Sequence, residues 1–196
     1  FRSDFIPTPL TCFEDVHKLE PGTALVWCEG KVERTWTFWS APRSLHTIGS
    51  FEEAVRGLRE RVDAAVAERL IADVPLGLFL SGGIDSSVVA ESAARQSQKK
   101  LQSFSIGFAD ASYDERPFAR QAAKHLGLEH HEEVLAPHQM FEMLGEAVEL
   151  LDEPLADPAI LPQLLLSRFA RTKLTVALSG DGGDELFLGY PHLAAH

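Results

Sequence analysis

The feature that most constrains this chain is a short apolar run, Leu76 to Leu80, that ends in Ser81-Gly82-Gly83 and passes directly into a stretch of helix-forming residues from Ser86 to Arg95. A buried strand that empties into a glycine turn and then a helix is the core of a βαβ unit, and such a unit commits the fold to a parallel sheet covered by helices. The rest of the sequence repeats the alternation. Leu101 to Phe108, Leu128 to Val134 and Leu174 to Leu178 read as strands. Asp114 to Leu126, stopped by Gly127, Pro137 to Leu151 and Ile160 to Arg171 read as helices. Met140, Leu144, Val148 and Leu151 are expected to form one face of the Pro137 helix, and Met140, Phe141 and Met143 to pack. Before the first strand, Ser50-x-x-Glu53 is a capping box that opens a helix with Phe51, Val55, Leu58, Val62, Val66 and Leu70 at helical spacing.

The first 40 residues follow another rule. Ala24 to Cys28 and Lys31 to Thr37 are short β-type runs separated by Glu29-Gly30 and preceded by Pro21-Gly22, a hairpin pattern. The expected architecture is therefore α/β, a parallel sheet flanked by helices, preceded by a short β-rich segment. The boundaries fall at residues 1–40 for that segment, 41–50 for a linker and 51–196 for the α/β part. Trp36, Phe38 and Trp39 are expected to pack between the two pieces, and Cys12 and Cys28 to be packing residues.

Charge narrows the function. The chain has 196 residues, 18 of them Lys or Arg and 29 Asp or Glu, a formal charge of −11. An acidic surface repels phosphate backbones and anionic lipid, so neither nucleic acid nor membrane is an expected partner. The longest uncharged runs, Val74 to Ile84 and Leu186 to His196, fall well short of the roughly 20 apolar residues of a membrane span. Two cysteines and no visible targeting segment fit a reducing, cytoplasmic compartment. The start at Phe1 and the end within an apolar stretch read as those of a piece cut from a longer polypeptide.

In open parallel sheets, ligands bind at the carboxyl ends of the strands. Two strands here end in Ser-Gly. At Leu80-Ser81-Gly82-Gly83-Ile84-Asp85-Ser86-Ser87, glycines permit close backbone approach, and the N–H groups at the start of the helix make an anion cradle with hydroxyl donors from Ser81, Ser86 and Ser87. No Gly-Lys-Ser/Thr follows, so this is not a Walker loop. The carboxylate of Asp85 stands there instead, where a bridge through Mg²⁺ to bound phosphates is the natural use. At Ser179-Gly180-Asp181-Gly182-Gly183-Asp184-Glu185, three acids on a glycine loop suit metal ligation or a catalytic base, and the glycines argue against a helix or strand. His130-His131-Glu132 is a weak metal signal, because neighbours on a strand point to opposite faces. Asp157 lies in a Pro-rich loop, where substrate positioning and a plain surface turn are equally open readings.

SGGIDSS resembles the pyrophosphatase loop of the PP-loop ATP-pyrophosphatase superfamily. With IADVPLGLFLSGGIDSS, SYDERPFARQAAKHLGLEHHE, DEPLADPAILP and VALSGDGGDELFLGY in that order, nearly the whole chain resembles glutamine-hydrolysing asparagine synthetase. The resemblance implies the tail of a glutaminase domain in residues 1–40 and the first part of a synthetase domain in 51–196. It implies an ATP- and Mg²⁺-dependent ligase that converts the aspartate side-chain carboxylate into an acyl-adenylate and then into asparagine with ammonia from glutamine. By position, Ser81, Gly82, Gly83, Ser86 and Ser87 would hold pyrophosphate, and Asp85 and Asp184 would bind Mg²⁺. Leu80, Ile106, Ser179 and Gly180 would contact adenosine, and Asp181 would serve the acyl-adenylate chemistry. Leu188 stands where the family usually has Gly, a departure expected to matter little. The family's glutaminase nucleophile is an N-terminal Cys, whereas residue 1 is Phe. Its further synthetase residues, a lysine among them, would lie beyond His196, so the chain by itself is expected to hydrolyse no glutamine and to show little or no synthetase turnover. An amidotransferase acting on another carboxylate is the nearest alternative, and a homodimer stays open. A tRNA-modifying enzyme is disfavoured by the charge and by the lack of Cys-x-x-Cys. A non-catalytic nucleotide-binding protein is disfavoured by the three intact acids.

Overall fold

A computed structural model of the chain describes residues 4–41, 49–110 and 112–190. The linker expected at 41–50 lies, over 42–48, outside the described residues. The elements run in the order β1 (Thr23–Cys28), β2 (Lys31–Thr37), α1 (Phe51–Arg69), β3 (Leu76–Phe79), α2 (Ile84–Gln96), β4 (Gln102–Phe108), α3 (Arg116–Leu126), β5 (Glu129–Leu135), α4 (Pro137–Leu150), α5 (Ile160–Arg171), β6 (Val176–Leu178) and α6 (Gly183–Phe187). Strands β5, β4, β3 and β6 pair in that order, all parallel, and β1 and β2 form a separate antiparallel ribbon.

The sheet is covered on both faces. One face carries α1, α2 and α3 over Leu78, Leu80 and Leu101, packed with Val66, Ala90, Ala93, Ala119 and Ala123. The small residues let the helices approach the sheet closely. The other face packs Phe104 against Ala170, Leu174 and Phe169, and Leu135 against Met143 and Leu165. Phe104 has no exposed surface, and its ring meets Phe169 edge-on at 5.4 Å. The capping box of α1 forms as expected: Glu53 N donates to Ser50 Oγ at 3.2 Å, and Ser50 N donates to Glu53 Oε2 at 3.0 Å. Gly127 ends α3 at φ +69, the left-handed cap that glycine adopts without strain.

Several sequence expectations need correction. Cys12 and Cys28 are exposed, and so are Trp36, Phe38 and Trp39. Among the described residues no second layer packs on the β1–β2 ribbon, so its aromatic residues stay exposed; Trp36 is capped by the Arg34 guanidinium 4.5 Å from the ring. On α4 the buried residues are Met143 and Ala147, with Met140 beside them, whereas Leu144, Val148 and Phe141 are exposed. The helix meets Leu135 and Leu165 along that narrower stripe. The first half of the α1 stripe, Phe51, Val55 and Leu58, is likewise exposed. The acidic glycine loop contains a single helical turn, α6, where no helix was expected. Gly182 at φ +90 reverses the chain, and Asp184 and Glu185 then fall in the first turn, where the free N–H groups favour carboxylates.

The N-terminal segment is tied to the loop between α4 and α5. Lys18 Nζ donates to Glu153 Oε1 at 2.6 Å and to Ile6 O at 2.7 Å, and Ala156 N donates to Asp4 O at 2.8 Å. Among the described residues, no helix is long and apolar enough to cross a membrane.

Candidate nucleotide site at the strand ends

Chain order decides where the cleft forms. After β3 the chain steps through α2 to β4 on one side, and it returns through α4 and α5 to β6 on the other. The chain leaves β3 toward β4 and reaches β6 from β5 across the other face of the sheet, and a crevice lies at the carboxyl ends of β3 and β6. A cleft of about 380 Å³ sits there, within the usual range for small-molecule sites. Its wall includes Leu80, Ser81, Gly83, Asp85, Ser86, Ile106, Ser179, Gly180, Asp181 and Asp184. Ten of the twelve residues expected from sequence therefore converge on one cavity. Gly82 and Ser87 stand outside its wall: Gly82 lies against α3, and Ser87 N donates to Gly83 O in the first turn of α2.

The first loop is held open by its own serines. Ser81 Oγ accepts from Gly83 N at 3.1 Å and lies 2.9 Å from Ser86 Oγ, which also donates to Gly83 O at 3.3 Å. The second loop presses directly on the first. A Cβ at Gly180 would sit 2.6 Å from Ser86 N and 2.9 Å from Asp85 C, and one at Gly183 would sit 2.7 Å from Asp85 Oδ2. Glycine at both positions is what lets two backbones meet at this point. Ser179 Oγ donates to Asp181 Oδ2 at 2.8 Å and aims that carboxylate. Behind it, Tyr190 donates to Glu185 at 2.6 Å; this bond holds the Glu185 carboxyl below its usual range and pushes the Tyr190 hydroxyl up to about 12. Leu188 ends α6 at φ +58, a left-handed conformation that a β-carbon makes costly.

Asp85, Asp181 and Asp184 share the cleft, and none of them takes part in an ion pair among the described residues. Nor do three acidic or imidazole groups converge closely enough, among the described residues, to form a preassembled metal cage. A hard cation arriving with phosphates would find part of its oxygen donors in such separate carboxylates, with the phosphates supplying the rest.

The cleft also contains Phe79, Phe104, Ser105, Phe108, Glu115, Pro162 and Gln163, none of which was singled out from sequence. Ser105 and Phe108 flank Ile106 at the end of β4 and could have been found from that position. Pro162 and Gln163 come from α5, whose approach depends on the sheet order.

The polar layer under α3 continues from the cleft. His130 and His131 do point to opposite faces: His130 meets Ser103 and Ser105, while His131 lies 3.2 Å from Gln102 Oε1 with its ring 5.0 Å from Phe104. Burial holds the His130 imidazole below its usual range, so it stays neutral. Hydrogen bonds from arginine hold three carboxyls below theirs: Arg95 on Asp63, Arg116 on Asp114 and Arg120 on Glu132.

These shifts predict two stages of acid destabilisation. As pH falls below about 6.5, the unfolded chain protonates at His130 before the folded one does, and stability declines. Below about pH 4, the three carboxylates take up protons more readily in the unfolded chain, and the decline steepens. Thermal unfolding followed from pH 8 to pH 3 should show both breaks, and His130→Gln should flatten the first. A single break near pH 4 in the unsubstituted chain would contradict the neutral-imidazole assignment.

Fold and cleft together define a parallel α/β domain that sets a donor-rich glycine loop against an acidic one at its topological switch point. The Asparagine synthase family profile matches residues 57–196, and the chain belongs to the asparagine synthase family. It is 36% identical over 187 residues to asparagine synthetase 1 (glutamine-hydrolyzing) of Bacillus subtilis, an alignment covering 95% of this chain and 29% of that protein. It is 35% identical over 192 residues to putative asparagine synthetase 2 (glutamine-hydrolyzing) of Methanocaldococcus jannaschii, covering 97% of this chain and 37% of that one. The chain thus spans about a third of the length of these relatives. Among solved structures, it is similar to an NH3-dependent NAD synthetase from Campylobacter jejuni, with a TM-score of 0.46 and 19% identity over 69% of this chain and 60% of that one.

Proposed function

We propose that this chain supplies the ATP-binding part of an amide-forming ligase, one that activates the aspartate side-chain carboxylate for attack by ammonia derived from glutamine. The observation that carries this reading is the contact between the two glycine loops, which sets backbone and hydroxyl donors beside Asp85, Asp181 and Asp184, none of them in an ion pair among the described residues. Donors alone would suit a bare phosphate, and acids alone would repel one. The two together suit magnesium-ATP, whose phosphates meet the donors while its cation meets Asp85 and Asp184.

In the reaction so proposed, a carboxylate oxygen of aspartate attacks the α-phosphorus of ATP. The bond from that phosphorus to the bridging oxygen breaks and pyrophosphate leaves with the electron pair. Ammonia then attacks the acyl carbon, gives up a proton, and AMP departs to leave asparagine. Of the loop residues, Ser81, Gly83 and Ser86 line the cleft and stabilise the charge that builds on the leaving pyrophosphate, the point at which fixed donors lower the barrier most, while Gly82 and Ser87 hold the loop's shape from outside it. Leu80, Ile106, Ser179 and Gly180 seat the adenosine, and Asp181, aimed by Ser179, serves the forming and breaking of the acyl-adenylate. The β1–β2 segment is assigned to the end of a preceding glutaminase domain. Two measurements test the reading: magnesium-ATP binding by the 196-residue chain, and pyrophosphate release by the full-length gene product. Aspartate should stimulate that release. A full-length protein whose release is indifferent to aspartate refutes the substrate assignment.

A further inference from the structure

The end of β4 carries a hydroxyl whose hydrogen-bonding sense is set from outside the cleft. The β4–β5 register places Ser103 opposite His130 and Ser105 opposite Glu132, so all four side chains share the face beneath α3. Ser105 reaches the cleft wall although only 4% of its surface is exposed. His130 Nδ1 lies 2.9 Å from Ser103 Oγ, and its Nε2 lies 3.3 Å from both Ser105 Oγ and Glu132 Oε1. Arg120 grips Glu132 through two bonds, of 3.0 and 2.6 Å.

These contacts admit one consistent arrangement of protons. A carboxylate held by arginine is ionised and only accepts. The His130 nitrogen facing it must therefore carry hydrogen, since a lone pair there would oppose the carboxylate. A neutral imidazole protonated on Nε2 has its lone pair on Nδ1, which accepts from the buried Ser103 hydroxyl. Ser105 then faces an N–H. Its oxygen accepts from His130, and its own hydrogen is left to point into the cleft.

We infer that Arg120, Glu132 and His130 fix Ser105 as a hydrogen-bond donor to an acceptor atom of the bound nucleotide, with His130 and Glu132 as positioning residues. The inference rests on the nucleotide reading of the cleft. It differs from a merely structural polar cluster in one consequence: reversing the imidazole tautomer should cost as much binding as deleting the hydroxyl.

Glu132→Gln makes that reversal. Arg120 holds the new amide oxygen, the amide N–H₂ turns to Nε2, and the ring proton moves to Nδ1. Ser105 must then donate to Nε2 and has no proton left for the ligand. Long-range ¹H–¹⁵N spectra of the 196-residue chain, with His130 assigned through His130→Gln, should show the Nε2–H tautomer in the unsubstituted protein and Nδ1–H in Glu132→Gln. In calorimetry with magnesium-ATP, Ser105→Ala and Glu132→Gln should each weaken binding about tenfold, the value of one hydrogen bond. The double variant should be no weaker than either single one. An Nδ1–H tautomer in the unsubstituted chain overturns the inference, as does additivity of the two losses. Loss of less than twofold in Ser105→Ala, with the unsubstituted chain binding normally, overturns it and leaves the nucleotide reading standing. Failure of the unsubstituted chain to bind magnesium-ATP overturns that reading and the donor's ligand with it, while the tautomer spectra still report on the network by itself.

Discussion

Asp85→Asn is expected to weaken magnesium-ATP binding by about 100-fold, roughly 2.7 kcal/mol, with little change in thermal stability. Asparagine keeps the shape and the place at the start of α2, so the packing of Gly183 against this side chain survives. It removes one of four carboxylates (Asp85, Glu115, Asp181 and Asp184) in a cleft whose acidic side chains form no ion pair among the described residues. Without ligand, that removal relieves repulsion and leaves the unfolding midpoint unchanged or slightly raised. With ligand, it replaces an anionic oxygen donor to the cation that accompanies the phosphates with a neutral amide, which binds a hard cation far less strongly. Asp184→Asn should act in the same direction. If one ion bridges the two carboxylates, the double variant should lose less than the sum of the single losses. Calorimetric titration at several Mg²⁺ concentrations separates the cases. A loss below threefold for Asp85→Asn at saturating Mg²⁺ would refute its role at the cation.

The contrast between this site and the rest of the chain shows what a sequence can carry. The Ser81–Ser87 and Ser179–Asp184 loops were legible because each follows a short apolar strand and carries closely spaced glycines, and strand ends in parallel sheets gather on one edge. Their mutual contact was not legible. Nothing in either segment says that β6 pairs beside β3 rather than beyond β5; that order follows from which faces α4 and α5 cover. The same ignorance of neighbours explains the misplaced residues. Leu144 and Val148 are as apolar as Met143, and periodicity alone could not show that Leu135 and Leu165 offer only a narrow contact. Trp36, Phe38 and Trp39 resemble core residues until the ribbon is seen to lack a second layer among the described residues. His130 was readable as a buried strand residue, but its tautomer depends on Glu132 and Arg120, which meet it only through the β4–β5 register and α3.

Gly82 belongs to the motif yet stands outside the cleft wall, and its own prediction follows from that. It adopts φ +85, and a Cβ there would lie 2.5 Å from the Phe118 carbonyl carbon and overlap the backbone nitrogen of Ala119. Both obstacles are backbone atoms of α3, which cannot rotate aside. Gly82→Ala therefore combines a left-handed alanine with overpacking against a helix, together about 3 kcal/mol. That is a large share of the roughly 5–15 kcal/mol that holds a domain together, and in a chain of this size it lowers the unfolding midpoint by roughly 10 °C. Gly127→Ala is the matched control. It has φ +69 with no atom within 4 Å of the added Cβ, so it suffers the conformational cost alone, about 1 kcal/mol or roughly 3 °C. The difference between the two variants isolates the α3 contact. If they lower the midpoint equally, the first glycine of the loop serves backbone conformation only; if Gly82→Ala falls much further, that glycine is where the Ser81–Ser87 loop is keyed to the helix behind it.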